Sequence, residues 1–182
     1  MQRAIDCLVN VDLGDREPPG WMKRVKEDYF KAGDSFFKSP ELPELLDDMD
    51  KHGVERAILL TQLGRDGDRG QRYAAERPER FALGLGGLDL LRPMKTLRAL
   101  EAFAKDHPVA YVVVGPSFWG DGMYPPSDAV YYPLYAKACE LELPVCLNTG
   151  IPGPPLPAEA QAIGQLGERD PDFLGPLPRL GL

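Results

Sequence analysis

Short apolar runs alternate with amphipathic stretches over the first 150 residues of the chain, and this alternation predicts an α/β fold. The first run, AIDCLVNV at residues 4–11, is closed by Asp12, Gly14 and Asp15. Its Val, Ile and Leu content suits a strand buried on both faces, as in a parallel sheet. The pleat would place Asp6, Leu8 and Asn10 on one face, and Ile5, Cys7 and Val9 on the other. Asn10 then falls near the carboxyl end of the strand, where α/β folds bind ligands.

A long connection over residues 12–39 follows. It carries the aromatic cluster Tyr29, Phe30, Phe36 and Phe37 and a charged middle, KRVKEDYFKAGD. The middle predicts a short helix with Val25 and Tyr29 inward, and the whole reads as a solvated lid with an apolar underside. Next, Ser39 as N-cap and Pro40 open a helix on which Leu42, Leu45, Leu46 and Met49 recur at helical spacing, until Gly53 ends it. Residues 54–60 give a second strand, 65–76 a polar helix stopped by Pro78, and 81–85 a third strand. Leu97, Leu100, Phe103 and Ala104 mark another helix, and VAYVVV at 109–114 a fourth strand. After the loop GPSFWGDGMYPPSD, Asp128 caps a helix with Tyr131, Leu134, Tyr135 and Ala138 inward, and a fifth strand spans 145–148.

The expectation is therefore a partial TIM-like (β/α) barrel of about five parallel strands with flanking helices, joined by right-handed crossovers. Beyond Gly150 the pattern stops in a stretch rich in Pro and Gly. Residues 1–155 are read as the β/α units and 156–182 as an irregular tail.

Composition narrows the partners. The chain has 182 residues, 43% hydrophobic and 27% charged, enough for one domain that buries roughly 70% of its unfolded surface. A net charge of -7 argues against nucleic acid and anionic membranes, which call for clustered Lys and Arg. No apolar run approaches the roughly 20 residues of a membrane span, so a cytoplasmic protein with a small-molecule partner is expected. Cys7, Cys139 and Cys146 fall in apolar patterns and read as reduced core residues.

The glycine motifs are weak. GLGG at residues 84–87 lacks the third glycine of a dinucleotide fingerprint and opens no helix. Gly115, Ser117 and Gly120 miss the nucleophile-elbow spacing, and no His follows them in the chain. The two histidines, His52 and His107, both precede strands and so lie at the amino-terminal face, as helix C-terminal caps. Asp12, Asp15, Asp89 and Asp121 are the acids near the opposite face, where exposed carboxylates bind divalent ions weakly at best. The polar residues at the carboxyl ends are Asn10, Thr61, Gln62, Asp89, Ser117, Asn148 and Thr149, with Trp119 as an apolar wall. Of these, Asn10, Ser117, Trp119 and Asn148 form the candidate ligand-binding set. Asn10 and Asn148 equally suit a structural role, satisfying backbone groups of neighbouring strands.

Several stretches together resemble the amidohydrolase-related (β/α)8 barrels that include aminocarboxymuconate semialdehyde decarboxylase. They are AIDCLVNV, ELLDDMDKHGVERAILL, ERPERFALGLGGLDL, GPSFWGDG and YYPLYAKACELELPVCLNTG, spanning about residues 4–155. The resemblance implies a closed barrel with a divalent metal, commonly zinc, that serves hydrolysis or nonoxidative decarboxylation. It also implies a His-x-His pair on the first strand and a His on the fifth. This chain has Leu8, Asn10 and Asn148 there, so no metal ligand and no cofactor is assigned and the catalytic residues stay unknown. Activity is expected to be impaired or absent. Five βα units would leave two open sheet edges, which predicts a homo-oligomer. Loss of pattern near Gln161 reads as a shifted frame or early termination. The alternative is a noncatalytic small-ligand-binding or oligomerisation module.

Overall fold

A computed structural model describes residues 4–13, 23, 25–33, 37–114 and 125–147. The chain divides into two compact units, residues 1–16 with 37–150, and residues 17–36 with 151–182. In the second unit the described part is a π-helical segment, Val25–Phe30. The backbone N–H of Ala32 closes it on the Lys26 carbonyl at 3.0 Å. The expected short helix is thus present, while the side chains of Val25 and Tyr29 and the tail lie outside the described residues.

The first unit is built on β1 (Ala4–Val9), α1 (Leu42–Lys51), β2 (Val54–Gln62), α2 (Arg69–Glu76), β3 (Phe81–Gly86), α3 (Pro93–Asp106), β4 (Val109–Val114), α4 (Tyr132–Glu140) and β5 (Val145–Leu147). The strands form one five-stranded sheet in the order β1-β2-β3-β4-β5, and every pairing is parallel. Sequential order with no reversal distinguishes a barrel-type sheet from a doubly wound one. Alternate positions, Ala57 and Leu59 on β2, Phe81, Leu83 and Leu85 on β3, and Val112 and Val114 on β4, share one core with Met49, Tyr73, Ala74, Leu100, Phe103, Leu134 and Ala138 of the helices. The intervening positions form the other face.

That face is curled. Tyr111 on β4 donates its hydroxyl to the Cys7 carbonyl of β1 at 2.6 Å. In a flat sheet those strands would stand about 14 Å apart, three strand spacings, which no tyrosine side chain spans. The unit is therefore the half-barrel that the strand count predicted.

Several expectations need correction. β1 is not buried on both faces: residues 4–8 are exposed, with Ile5 at 60% and Leu8 at 48%, because β1 pairs with β2 alone among the described residues. It also ends at Val9, and Val11 beyond it is fully buried. Ser39 does not cap α1. Its Oγ accepts the Leu13 N–H at 3.1 Å, and Glu41 takes the cap position, its own N–H donating to the Glu44 carboxylate at 3.3 Å. Pro43 then sits in the first turn, where its missing N–H costs nothing. Helix α1 closes where expected, with Gly53 at a φ of 72°. α2 starts at Arg69, capped by Asp68, rather than near Arg65, and the preceding loop spends its N–H of Gly67 on the Gln71 carboxamide at 2.8 Å. The cysteines are free, but Cys7 and Cys139 are exposed rather than core. No helix among the described residues is long and apolar enough to cross a membrane.

Candidate functional site

The carboxyl ends of β1, β2 and β3 converge on a small set of polar groups. Asn10 follows β1 directly and is exposed. Gln62 ends β2 opposite Gly86, which ends β3. The Leu63 N–H donates to the Gly86 carbonyl at 2.9 Å, drawing the two strand ends together. Gly87 has a φ of 71°, which favours glycine, and an added Cβ would also lie a tight 3.1 Å from the Leu63 backbone nitrogen. The GLGG run thus serves the packing of strand ends and not a dinucleotide.

Beside it, Thr61 is turned away from any ligand. Its hydroxyl donates to Asp68 Oδ2 at 2.5 Å and accepts from Gln71 Nε2 at 3.0 Å. Asp68 Oδ1 caps α2 by accepting the Gln71 N–H at 2.9 Å, and Gln71 Nε2 also donates to the Arg65 carbonyl at 2.7 Å. Thr61 and Gln71 are buried, so this closed network sets the course of the loop after β2. Asp89 is likewise engaged locally, accepting the Leu91 N–H at 3.0 Å.

Below the strand ends lies Tyr111, 8% exposed. Burial, followed by the nearby Cys146, Cys7 and Asp6 as anions, pushes its phenol up to about 12. It therefore donates as a neutral hydroxyl throughout the ordinary pH range. It was overlooked in the sequence because a tyrosine in VAYVVV reads as strand filler. The parallel register that sets Tyr111 beside Gly84 on the next strand gives it its role, and that register is not legible in the sequence.

The amino-terminal face has a different chemistry. His52 is the C-cap of α1, with Nδ1 2.8 Å from the Asp48 carbonyl, and His107 caps α3 and stacks on Phe103 at 4.1 Å. Both expectations for the histidines hold. Arg80 donates to Asp50 and to the Glu55 carbonyl, each at 2.8 Å, beside an open hollow of about 530 Å³ lined in part by Arg56 and Glu79. These contacts tie α1, β2 and the turn before β3 together and are structural.

Of the four candidate ligand-binding residues, Asn10 is placed at the mouth, while Ser117, Trp119 and Asn148 lie outside the described residues. Asp15 and Asp121 lie outside them as well. Among the described residues no group of three or more His, Cys, Asp or Glu comes together to hold a metal ion. Both imidazoles lie at the far face, and Leu8 and Asn10, in and just past β1, supply none at the mouth, so the described residues alone do not make up a zinc site.

A search of curated proteins returns no match. A family model described as Amidohydrolase matches residues 5–173, from the first strand to well past the last described one. Over nine-tenths of the sequence is matched, and the curled parallel sheet suits the family, so the chain belongs to the amidohydrolase family.

Proposed function

We propose that this chain is an amidohydrolase-family protein whose strand-end mouth binds a small organic molecule through Asn10, Ser117, Trp119 and Asn148. As a metal-dependent hydrolase or decarboxylase it is impaired or inactive. Family membership supports a hydrolase-like role in general terms. The observation that carries the finer reading is the placement of imidazole: His52 and His107 are helix caps at the amino-terminal face, while Leu8 and Asn10 stand where the resemblance implies ligands on the first strand. Leucine has no donor atom, and a neutral amide binds zinc poorly.

Elemental analysis after exhaustive dialysis tests this. Far less than one zinc or manganese per chain is expected, and a stoichiometric divalent metal overturns the reading. A second role has its own observation. Among the described residues β1 pairs with β2 alone, and its other backbone edge suits pairing with another copy of the chain. An oligomer is expected on size exclusion, and a sharp monomer peak with cooperative melting removes this role.

A further inference from the structure

We infer that Tyr111 is an internal strut that plugs the lumen of the half-barrel and fastens β4 to β1. Three observations converge. Its hydroxyl reaches the Cys7 carbonyl, 104 positions earlier, at 2.6 Å, across the two strands that lie between. Its ring lies directly over Gly84 of β3, where an added Cβ would overlap Cε2, Cζ and the hydroxyl oxygen. The side chain is 8% exposed although its neighbour on the lumen side, β1, is open to solvent. A large ring placed over a glycine in mid-strand occupies the space that a side chain at Gly84 would take. The hydroxyl then satisfies a carbonyl of an edge strand that has one strand partner among the described residues. The sheet curls around this side chain, which fills the lumen space over Gly84 beneath the strand ends. The strut does not depend on the proposed small-molecule role.

The experiment is a thermal-melting series on the full chain with p-cresol, a free copy of the tyrosine side chain. Tyr111→Ala should lower the melting temperature by roughly 10 °C, as expected for emptying a buried aromatic site in a chain of this size. Millimolar p-cresol should then raise the melting temperature of Tyr111→Ala by a few degrees while leaving the unmutated protein and Tyr111→Phe unmoved. Equal shifts in all three, no shift in Tyr111→Ala, or a Tyr111→Ala that melts like the parent overturns the strut. Should Tyr111→Ala not fold, Gly84→Ala decides, because its Cβ meets a ring only if Tyr111 lies there. A lowered melting temperature supports the strut, and an unchanged one overturns it. None of these readouts requires metal or turnover, so a failure here is separable from a failure of the functional proposal.

Discussion

β1 and β3 have the same length and nearly the same apolar content, yet they occupy opposite environments. AIDCLV of β1 is exposed along most of its length, whereas FALGLG of β3 is buried at every position but one. Leu83 and Leu85 have no exposed surface, while Leu8 keeps 48% of its own. The cause lies in the neighbours. β3 has β2 and β4 on its two sides and a helical layer on one face, while β1 has β2 alone among the described residues. Burial is thus a property of place in the sheet, and only the potential for it is written in a strand's composition.

The sharpest way to test this contrast is truncation at the centre. Leu83→Ala should cost about 2–5 kcal/mol in urea unfolding, the range for a fully buried leucine. A cost under 1 kcal/mol would mean the β3 core is loosely packed. Next comes the network that fixes the loop after β2. Asp68→Ala removes the α2 cap and strands the buried Thr61 hydroxyl, at a cost of about 2 kcal/mol. Asp68→Asn, which keeps one acceptor, should lose less. A comparable effect should appear at the seam where centre meets edge. The Tyr111 phenol, pushed up to about 12 from its ordinary 10.0, keeps its proton in the folded chain while the unfolded chain releases it. Its contribution is fully present below pH 10 and fades as pH climbs from 10 toward 12, by on the order of 2 kcal/mol. Asp6, Cys7 and Cys146 face it and oppose the phenolate. Tyr111→Phe should lack this alkaline loss, as followed by unfolding against pH. The smallest effect belongs to the edge. Leu8→Ala should stay within about 0.5 kcal/mol, as for ordinary surface positions. A cost near that of Leu83→Ala would show that β1 is covered in solution, as pairing with a second copy would do.

The same contrast explains what could be read without coordinates. Five strands and the four helices between them were legible from periodicity, because helix and strand spacing depend on residues close in sequence. The histidines were placed correctly for the same reason, since each directly follows a helix and precedes a strand. Boundaries set by competition for a hydrogen bond were not legible. Ser39 has the chemistry of a cap, but Leu13, 26 positions away, claims its hydroxyl. At the candidate site, Asn10 was foreseen at the mouth, whereas Thr61 belongs to an internal network that only the fold of the loop after β2 assembles.

By itself the sequence determined the class of fold, the order of its elements, the residue types at the strand ends and the distance of both imidazoles from them. Tertiary structure decided which apolar strand is covered, which glycine makes room and which tyrosine crosses the lumen. These depend on parallel pairings between segments distant in the chain, and local pattern carries no information about which neighbour a side chain will meet.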